Sequence, residues 1–311
     1  MEFQVKKATR EKIFPKVALM APSGGGKTYS ALRLATGYCA GVYAKTGKKT
    51  KILLANTEGS RGEYYANEFS YDICDINPPH NPEKYVDLIN FAVQEKYDVL
   101  IIDSSSHEWE GKGGCLDLQQ QAGGTWNSWA KVTPRHNKFI NAISDSPIMI
   151  IATMRGKDQY EVEKDGDSKK VSVKKLGIGA KQREGFEYEF TVTFLLDQKT
   201  NLATVQKDNT HLFEHDGDRL LSESDGEKIF EWANTGEGYT PRDHADDEPE
   251  ENLPDVKKKI IAKCTELGGS KNQAMMDLLR SYVPSGNPNA LKSMDNAKKI
   301  LEELDKITPI Q

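Results

Sequence analysis

The stretch that decides the fold is Val17-Ala18-Leu19-Met20-Ala21-Pro22-Ser23-Gly24-Gly25-Gly26-Lys27-Thr28. Its apolar beginning is typical of a strand buried on both faces of a sheet. The part from Ala21 onward matches the phosphate-binding pattern G-x-x-x-x-G-K-[ST], with Ala21 in place of the first glycine. A loop without bulky side chains can wrap its N–H groups around phosphates, and a following helix adds its N-terminal dipole. The stretch therefore predicts a strand, a P-loop and a helix in succession.

The P-loop predicts ATP and Mg²⁺ as cofactors. We expect Lys27 to contact the β- and γ-phosphates and Thr28 to hold the magnesium ion. The residues expected to contact the nucleotide are Ala21, Pro22, Ser23, Gly24, Gly25, Gly26, Lys27, Thr28 and Tyr29.

Apolar runs alternate with helical segments along the first half of the chain. Such alternation predicts an α/β fold with a parallel central sheet, because runs of this kind suit strands covered on both faces. The further strands are expected at Ile52 to Ala55, Val99 to Ile102 and Ile148 to Ala152, and the helices at Lys27 to Thr36, Pro82 to Gln94 and Pro134 to Ser144. Later, a strand at Tyr188 to Leu196 is expected to pair with Leu202 to Val205, after a hairpin or loop at Gln159 to Val173.

Acidic residues at strand ends supply the remaining chemistry of a P-loop ATPase. Asp103 ends the run Tyr97 to Asp103, which has the Walker B form, and is expected to organise Mg²⁺. Ser104 follows it, so the base that orients the attacking water must come from elsewhere. Glu58 follows another strand and faces the same crevice as the P-loop, and Glu108 is the competing candidate.

Composition bounds the class of protein. The chain has 311 residues, 29% charged and 37% hydrophobic, with a net charge of -5. A local basic strip can be hidden in such a total, so the charge neither requires nor excludes a nucleic-acid partner. No run approaches the roughly 18 apolar residues of a membrane helix, and residues 1–7 hold no apolar signal core. We therefore expect a cytoplasmic protein without a membrane partner.

Residues 236–253 are rich in glycine, proline and acidic side chains, which predicts an acidic flexible linker. Residues 1–235 then form the ATPase core. In residues 254–311 apolar side chains recur at helical spacing, which predicts a small helical module.

Cysteine and histidine positions define no metal site in the sequence. Cys39, Cys74, Cys115 and Cys264 show neither a C-x-x-C pair nor zinc-ligand spacing, and are expected to be reduced thiols. His107 and His136 receive no role.

Several segments beyond the P-loop carry a more specific resemblance. Residues 1–235 resemble a family of phage ATPases, reduced RecA-like cores that serve as single-strand annealing recombinases. The matching segments are Ala21 to Ser30, Asp103 to Gly111, Lys131 to Asn137 and Gln182 to Phe190. The resemblance implies a RecA-like P-loop core made by a phage in its bacterial host. It also implies a homo-oligomer, a ring or a filament, with ATP between subunits.

The resemblance further implies roles for basic residues. Lys181 and Arg183 would reach the ATP of a neighbouring subunit and stabilise transition-state charge. Loops after the Asp103 strand and after the Ile148 to Ala152 strand would bind single-stranded DNA, since aromatic side chains stack on bases and cations contact phosphates. The candidates are Lys112, Trp126, Trp129, Lys131, Arg155, Lys157, Lys169, Lys170, Lys174 and Lys175.

The leading hypothesis is thus an ATP-hydrolysing recombination protein that binds single-stranded DNA and anneals complementary strands. A replication accessory that acts on a protein partner, like a helicase loader, is the alternative. A nucleotide-gated binding protein with negligible turnover is the third. For the C-terminal module the sequence suggests recruitment of a single-stranded DNA-binding protein, motivated by Lys257-Lys258-Lys259 and the tether.

Overall fold

The structure is a computed structural model that describes residues 5, 7–164, 171–236, 238 and 253–308. For residues 158–164, 171–177, 253–255, 294 and 295 it describes the backbone alone. The chain divides into two compact units, Met1–Arg242 and Asp243–Gln311.

Alternating strands and helices build the first unit. Its strands are β1 Lys16–Ala21, β2 Ile52–Asn56, β3 Asp72–Asp75, β4 Val99–Asp103, β5 Met149–Lys164, β6 Val171–Ala180, β7 Val192–Leu196 and β8 Ala203–Asp208. Its helices are α1 Lys27–Thr46, α2 Pro82–Gln94, α3 Ser106–Glu110, α4 Cys115–Gln121, α5 Trp129–Asp145 and α6 Glu223–Ala233.

The sheet has the strand order β3-β2-β4-β5-β1-β7-β8, and β6 pairs with β5 outside this path. Neighbours from β3 to β7 run parallel, while β7–β8 and β5–β6 are antiparallel. The strand that leads into the P-loop, β1, lies between β5 and β7. Because the carboxyl ends of parallel strands meet at one edge, the ends of β1, β2 and β4 form a common crevice with the part of β5 around Arg155, which lies opposite Ala21.

Two apolar layers cover the sheet. On one face α1 and α6 pack through Leu32, Leu34 and Ile229, and on the other α2 and α5 pack through Tyr85 and Phe139. Helices α1 and α6 can approach closely because Gly37 has no Cβ. A Cβ at this position would lie 1.8 Å from the carbonyl oxygen of Glu223. The predicted α/β core with a parallel sheet is confirmed.

Several elements differ in extent from their prediction. Helix α5 begins at Trp129 rather than Pro134, directly after a 3₁₀ turn, Trp126–Ser128, that opens with a capping box between Thr125 and Ser128. The segment predicted as one strand from Tyr188 begins as a 3₁₀ turn, Phe186–Glu189, whose opening residue Gly185 has φ 86°, and only Val192–Leu196 is strand. Strand β3 was not predicted, because this edge strand is mostly exposed and has no apolar run.

Strands β5 and β6 form an antiparallel hairpin that continues β5 well beyond the predicted Ala152. The pairing runs from Gly156 opposite Ala180 to Lys164 opposite Val171, with an irregularity between Gln159 and Tyr160.

The second unit contains the helices α7 Leu253–Glu266, α8 Gln273–Tyr282 and α9 Met294–Leu304. Their apolar faces share a core that includes Val256, Ile260, Leu279 and Ile300. These helices agree with the predicted C-terminal helical module. Across the residues that the structure describes, no helix is both long and apolar enough to cross a membrane.

Candidate nucleotide-hydrolysis site

The P-loop follows β1 and turns directly into α1. Gly24 and Gly26 have φ values of 83° and 77°, a left-handed conformation that residues with a Cβ rarely adopt. Lys27 Nζ donates hydrogen bonds to the carbonyl oxygens of Ala21 and Pro22 at 3.0 and 3.1 Å. Burial lowers the pKa of Lys27, opposed by the negative charges of Asp103 and Glu58. The glycines thus provide the turn that a phosphate cradle requires, and the lysine lies folded against it.

Asp103 lies at the centre of the crevice, almost fully buried at the end of β4. Its carboxylate accepts a hydrogen bond from Thr28 Oγ1 at 2.5 Å and another from Thr153 Oγ1 at 2.5 Å. Carboxylate and hydroxyl oxygens are the ligands that magnesium prefers, so Thr28 and Asp103 fit the predicted metal role. The sequence suggested that a polar group among Thr153, Met154 and Arg155 senses the γ-phosphate; in the structure Thr153 fixes the second oxygen of Asp103.

Glu58 follows β2 and lies on the wall of the same crevice. Arg155, on β5, donates to its carboxylate from Nε at 3.0 Å and from a terminal nitrogen at 2.7 and 2.9 Å. The Glu58 backbone N–H also donates to Asn56 Oδ1 at 3.0 Å. A planar guanidinium matched to a carboxylate in this way fixes the orientation of both groups. Arg155, predicted as a DNA contact, is placed by the structure at the nucleotide crevice.

These residues line a cavity of about 670 Å³. Beyond the phosphate end, its wall includes Tyr64 and Leu220, whose side chains are largely exposed and apolar. Tyr29 also lines it, with its hydroxyl donating to Glu68 at 3.1 Å. The basic side chains on its wall are Lys27, Arg33, Arg61 and Arg155. Sequence reasoning missed Arg33, Arg61, Tyr64 and Leu220, because they come from segments without a motif.

Glu108, the competing candidate for the base, lies elsewhere. It is fully buried in α3 and contacts His136 Nδ1 at 3.0 Å and Cys115 Sγ at 3.0 Å. Gln182 Nε2 donates to its other oxygen at 3.2 Å. It is not among the described residues that line the nucleotide cavity. Geometry therefore favours Glu58 as the base.

The two candidate trans-acting residues make contacts outside this cavity. Lys181 Nζ lies 3.5 Å from Glu110 Oε1, and Arg183 donates to Asn137 Oδ1 at 3.1 Å. Neither is among the described residues that line the cavity of their own chain. Their role on a neighbouring subunit stays a prediction.

The DNA candidates fall into two groups. Lys112 and Trp126, between α3 and α5, and Lys131, in the first turn of α5, are exposed, with Trp126 at 87%. Trp129, the first residue of α5, is half-buried. The ring of Trp129 stacks on Trp109 at 5.3 Å and 12°. In the hairpin, Lys157 is exposed, Lys174 and Lys175 belong to β6 with only their backbone described, and Lys169 and Lys170 lie outside the described residues.

The arrangement can bind a polyphosphate and hydrolyse it. The P-loop N–H groups and Lys27 would bind phosphate oxygens, and Mg²⁺ held by Thr28 and Asp103 would neutralise charge that develops on the transferred phosphoryl group. Glu58 lies where a carboxylate can orient an attacking water and accept its proton. Arg155 fixes the orientation of Glu58 and brings a positive charge to the phosphate side of the cavity.

A mostly parallel α/β sheet defines a P-loop nucleoside-triphosphatase when a P-loop follows β1 and an aspartate at the end of β4 is hydrogen-bonded to the P-loop threonine. Residues 13–224 match the AAA domain family, and the chain belongs to that family. This membership indicates nucleotide binding and ATP hydrolysis, typically with Mg²⁺. No curated protein matches the chain.

The base assignment can be tested with glutamate-to-glutamine variants. We expect Glu58→Gln to lower the ATP hydrolysis rate by about 100-fold or more, because an amide cannot accept the proton of water. ATP affinity, measured with a fluorescent analogue, should remain. Glu63→Gln, an exposed residue of the same segment, serves as the control and should hydrolyse normally. If Glu108→Gln is folded and inactive while Glu58→Gln is active, the assignment is wrong.

A stack of two histidines beside the site predicts acid sensitivity. His80 and His107 rings lie 5.1 Å apart, and His107 Nδ1 lies 2.6 Å from Thr57 Oγ1. Burial, with His107 and Lys84 nearby, lowers the pKa of His80 to about 4. The unfolded chain, with a histidine pKa near 6.5, therefore binds the proton more readily. The contribution of neutral His80 to the free energy of unfolding is therefore complete above pH 6.5 and is lost as the pH falls toward 4.

We expect His80→Gln to lose less thermal stability than wild type between pH 7 and pH 4.5. The measurement is Tm against pH by circular dichroism, with the exposed His215→Gln as the control for loss of one imidazole. Equal pH slopes in wild type and His80→Gln would contradict the assignment.

Proposed function

We propose that this protein is an ATP-hydrolysing DNA-recombination protein that binds single-stranded DNA, assembles with copies of itself and anneals complementary strands. The proposal rests on the continuity of β5 between the nucleotide cavity and the hairpin. Arg155 contacts Glu58 at the cavity, and the paired hairpin begins at the next residue, Gly156. A strand shared in this way gives a ligand on the hairpin a direct mechanical connection to the proposed base.

The root of the hairpin also packs against the P-loop. A Cβ at Gly156 would lie 3.0 Å from the carbonyl carbon of Ala21 and 2.7 Å from Ile178 Cγ2. In addition, the Lys181 N–H donates to the Arg155 carbonyl at 2.7 Å. Any displacement of β5 relative to β6 therefore changes contacts with the phosphate loop and with Arg155. This supports DNA-dependent control of hydrolysis.

The segment between α3 and α5 supports single-strand binding chemistry. The exposed indole of Trp126 follows Gly123 and Gly124, both with positive φ, and Lys112 and Lys131 are exposed on the same segment. An indole offers a face on which any base can stack, and lysines contact phosphates, so the combination suits binding without sequence preference.

ATP hydrolysis should be stimulated by single-stranded DNA, and Lys27→Ala should abolish both basal and stimulated rates. Trp126→Ala should bind an oligo(dT) about tenfold more weakly, the loss of one stacked base. Tyr43→Ala, which removes an exposed ring from α1, is the control. Hydrolysis is followed by phosphate release and DNA binding by fluorescence anisotropy.

Unstimulated but intact hydrolysis, with no oligo(dT) binding, would contradict the recombination proposal and favour an ATPase that acts on a protein partner. ATP binding without hydrolysis, unaffected by Glu58→Gln, would favour a nucleotide-gated binding protein. Annealing of complementary strands, measured by strand-labelled fluorescence transfer, then separates annealing from simple binding.

For the second unit we propose recruitment of a single-stranded DNA-binding protein. The unit has its own apolar core. We expect deletion of residues 254–311 to slow annealing on DNA coated with such a protein, while annealing on bare DNA stays unchanged. Equal slowing on both substrates, or none, would contradict recruitment.

A further inference from the structure

A buried cluster outside the nucleotide cavity brings together three side chains that bind metals. Glu108 comes from α3, Cys115 is the first residue of α4, and His136 comes from α5. All three are buried, with at most 1% of any of them exposed. One potential ligand atom from each lies within 4.8 Å of the others.

The charge of this cluster requires compensation. Among the described residues, the polar contacts of the Glu108 carboxylate come from Cys115, His136 and Gln182, and none comes from lysine or arginine. A buried carboxylate without a cation costs much free energy. A divalent ion bound by a carboxylate, a thiolate and a neutral imidazole would make the total charge zero. A divalent ion would thus add a full charge balance to the hydrogen bonds that Glu108 already receives.

The separations are close to those around a shared ion. Zinc bonds of about 2.3 Å to sulfur and about 2.0 to 2.2 Å to nitrogen and oxygen, in a tetrahedral arrangement, put neighbouring ligand atoms about 3.3 to 3.7 Å apart, so small side-chain shifts would admit the ion. Here Cys115 Sγ lies 3.0 Å from Glu108 Oε1. His136 Nδ1 lies 3.0 and 3.2 Å from the two carboxylate oxygens. The imidazole nitrogen therefore faces both oxygens of the carboxylate that would share the ion.

We propose that Glu108, Cys115 and His136 bind one zinc ion that joins helices α3, α4 and α5. The thiolate and imidazole favour zinc over magnesium, which prefers oxygen ligands. Binding forms bonds to sulfur, nitrogen and oxygen, releases the thiol proton to solvent and changes no oxidation state. The second carboxylate oxygen of Glu108 or a water completes the coordination.

The role is structural, and it is independent of the nucleotide chemistry. Burial, together with the negative charge of Glu108, raises the pKa of Cys115, so without a metal the group is a neutral thiol. Since none of the three side chains lines the nucleotide cavity among the described residues, the zinc takes no part in hydrolysis.

The test uses the full-length protein, purified without metal-affinity resin. We expect about one zinc per chain by elemental analysis. After removal of zinc, Co²⁺ alone is the probe, because a cobalt–thiolate bond gives near-ultraviolet charge-transfer absorption that oxygen and nitrogen ligands do not give. Cys115→Ser and His136→Gln should each lower Co²⁺ affinity by about 100-fold, and Cys115→Ser should abolish the thiolate absorption.

Cys74→Ser is the matched control, because it removes a thiol from the edge strand β3 and should leave zinc content and cobalt absorption unchanged. Circular dichroism identifies variants that fail to fold. If they do, the zinc content and cobalt absorption of the wild-type protein still test whether the metal binds. Folded wild type with neither bound zinc nor cobalt–thiolate absorption would overturn the proposal. Absorption that survives in Cys115→Ser would overturn it as well, since the thiolate would then come from another cysteine.

Discussion

The nucleotide site depends on one buried carboxylate, that of Asp103. Its two oxygens accept hydrogen bonds from Thr28 at the start of α1 and from Thr153 on β5. The Asp103 carbonyl oxygen accepts the Thr57 N–H at 2.7 Å and its hydroxyl at 3.0 Å. A buried carboxylate is stable only when such donors surround it, so four elements are held in register around this residue. The P-loop, the segment that carries the proposed base and the hairpin strand β5 are therefore all hydrogen-bonded to Asp103.

Charge organises the rest of the cavity. Lys27, Arg33, Arg61 and Arg155 face Glu58 and Asp103, so basic side chains outnumber acidic ones on these walls. Arg33 is paired with Glu223 and Arg155 with Glu58, each at 2.7 Å, whereas Lys27 contacts backbone carbonyl oxygens. An anionic polyphosphate is attracted to a cleft with an excess of basic side chains. A phosphate that reached Arg155 would compete with Glu58 for the guanidinium, which would link occupancy of the cavity to the freedom of the proposed base.

The sequence was sufficient for those features that depend on local chemistry. The P-loop needs small residues between a strand and a helix, and Asp103 ends an apolar run, so both could be located from spacing. The pairing of Arg155 with Glu58 could not, because these residues are far apart in the chain and meet only after β2, β4 and β5 take their order. For the same reason Glu108 looked like a candidate base from its position after Asp103, whereas α3 turns its side chain into the core.

The buried cluster of Glu108, Cys115 and His136 fixes both ends of the segment that carries Trp126. Cys115 begins α4 and His136 lies within α5, so Trp126 lies in the connection between two helices that the cluster holds together. Gln182 joins the same cluster and donates to the Ser105 carbonyl at 3.1 Å, which ties the end of the hairpin to α3. Fixing both ends of this segment reduces the conformational entropy that its ligand must overcome. The cluster thus connects the segment proposed to stack on bases with Asp103 through α3, which begins three residues after that carboxylate.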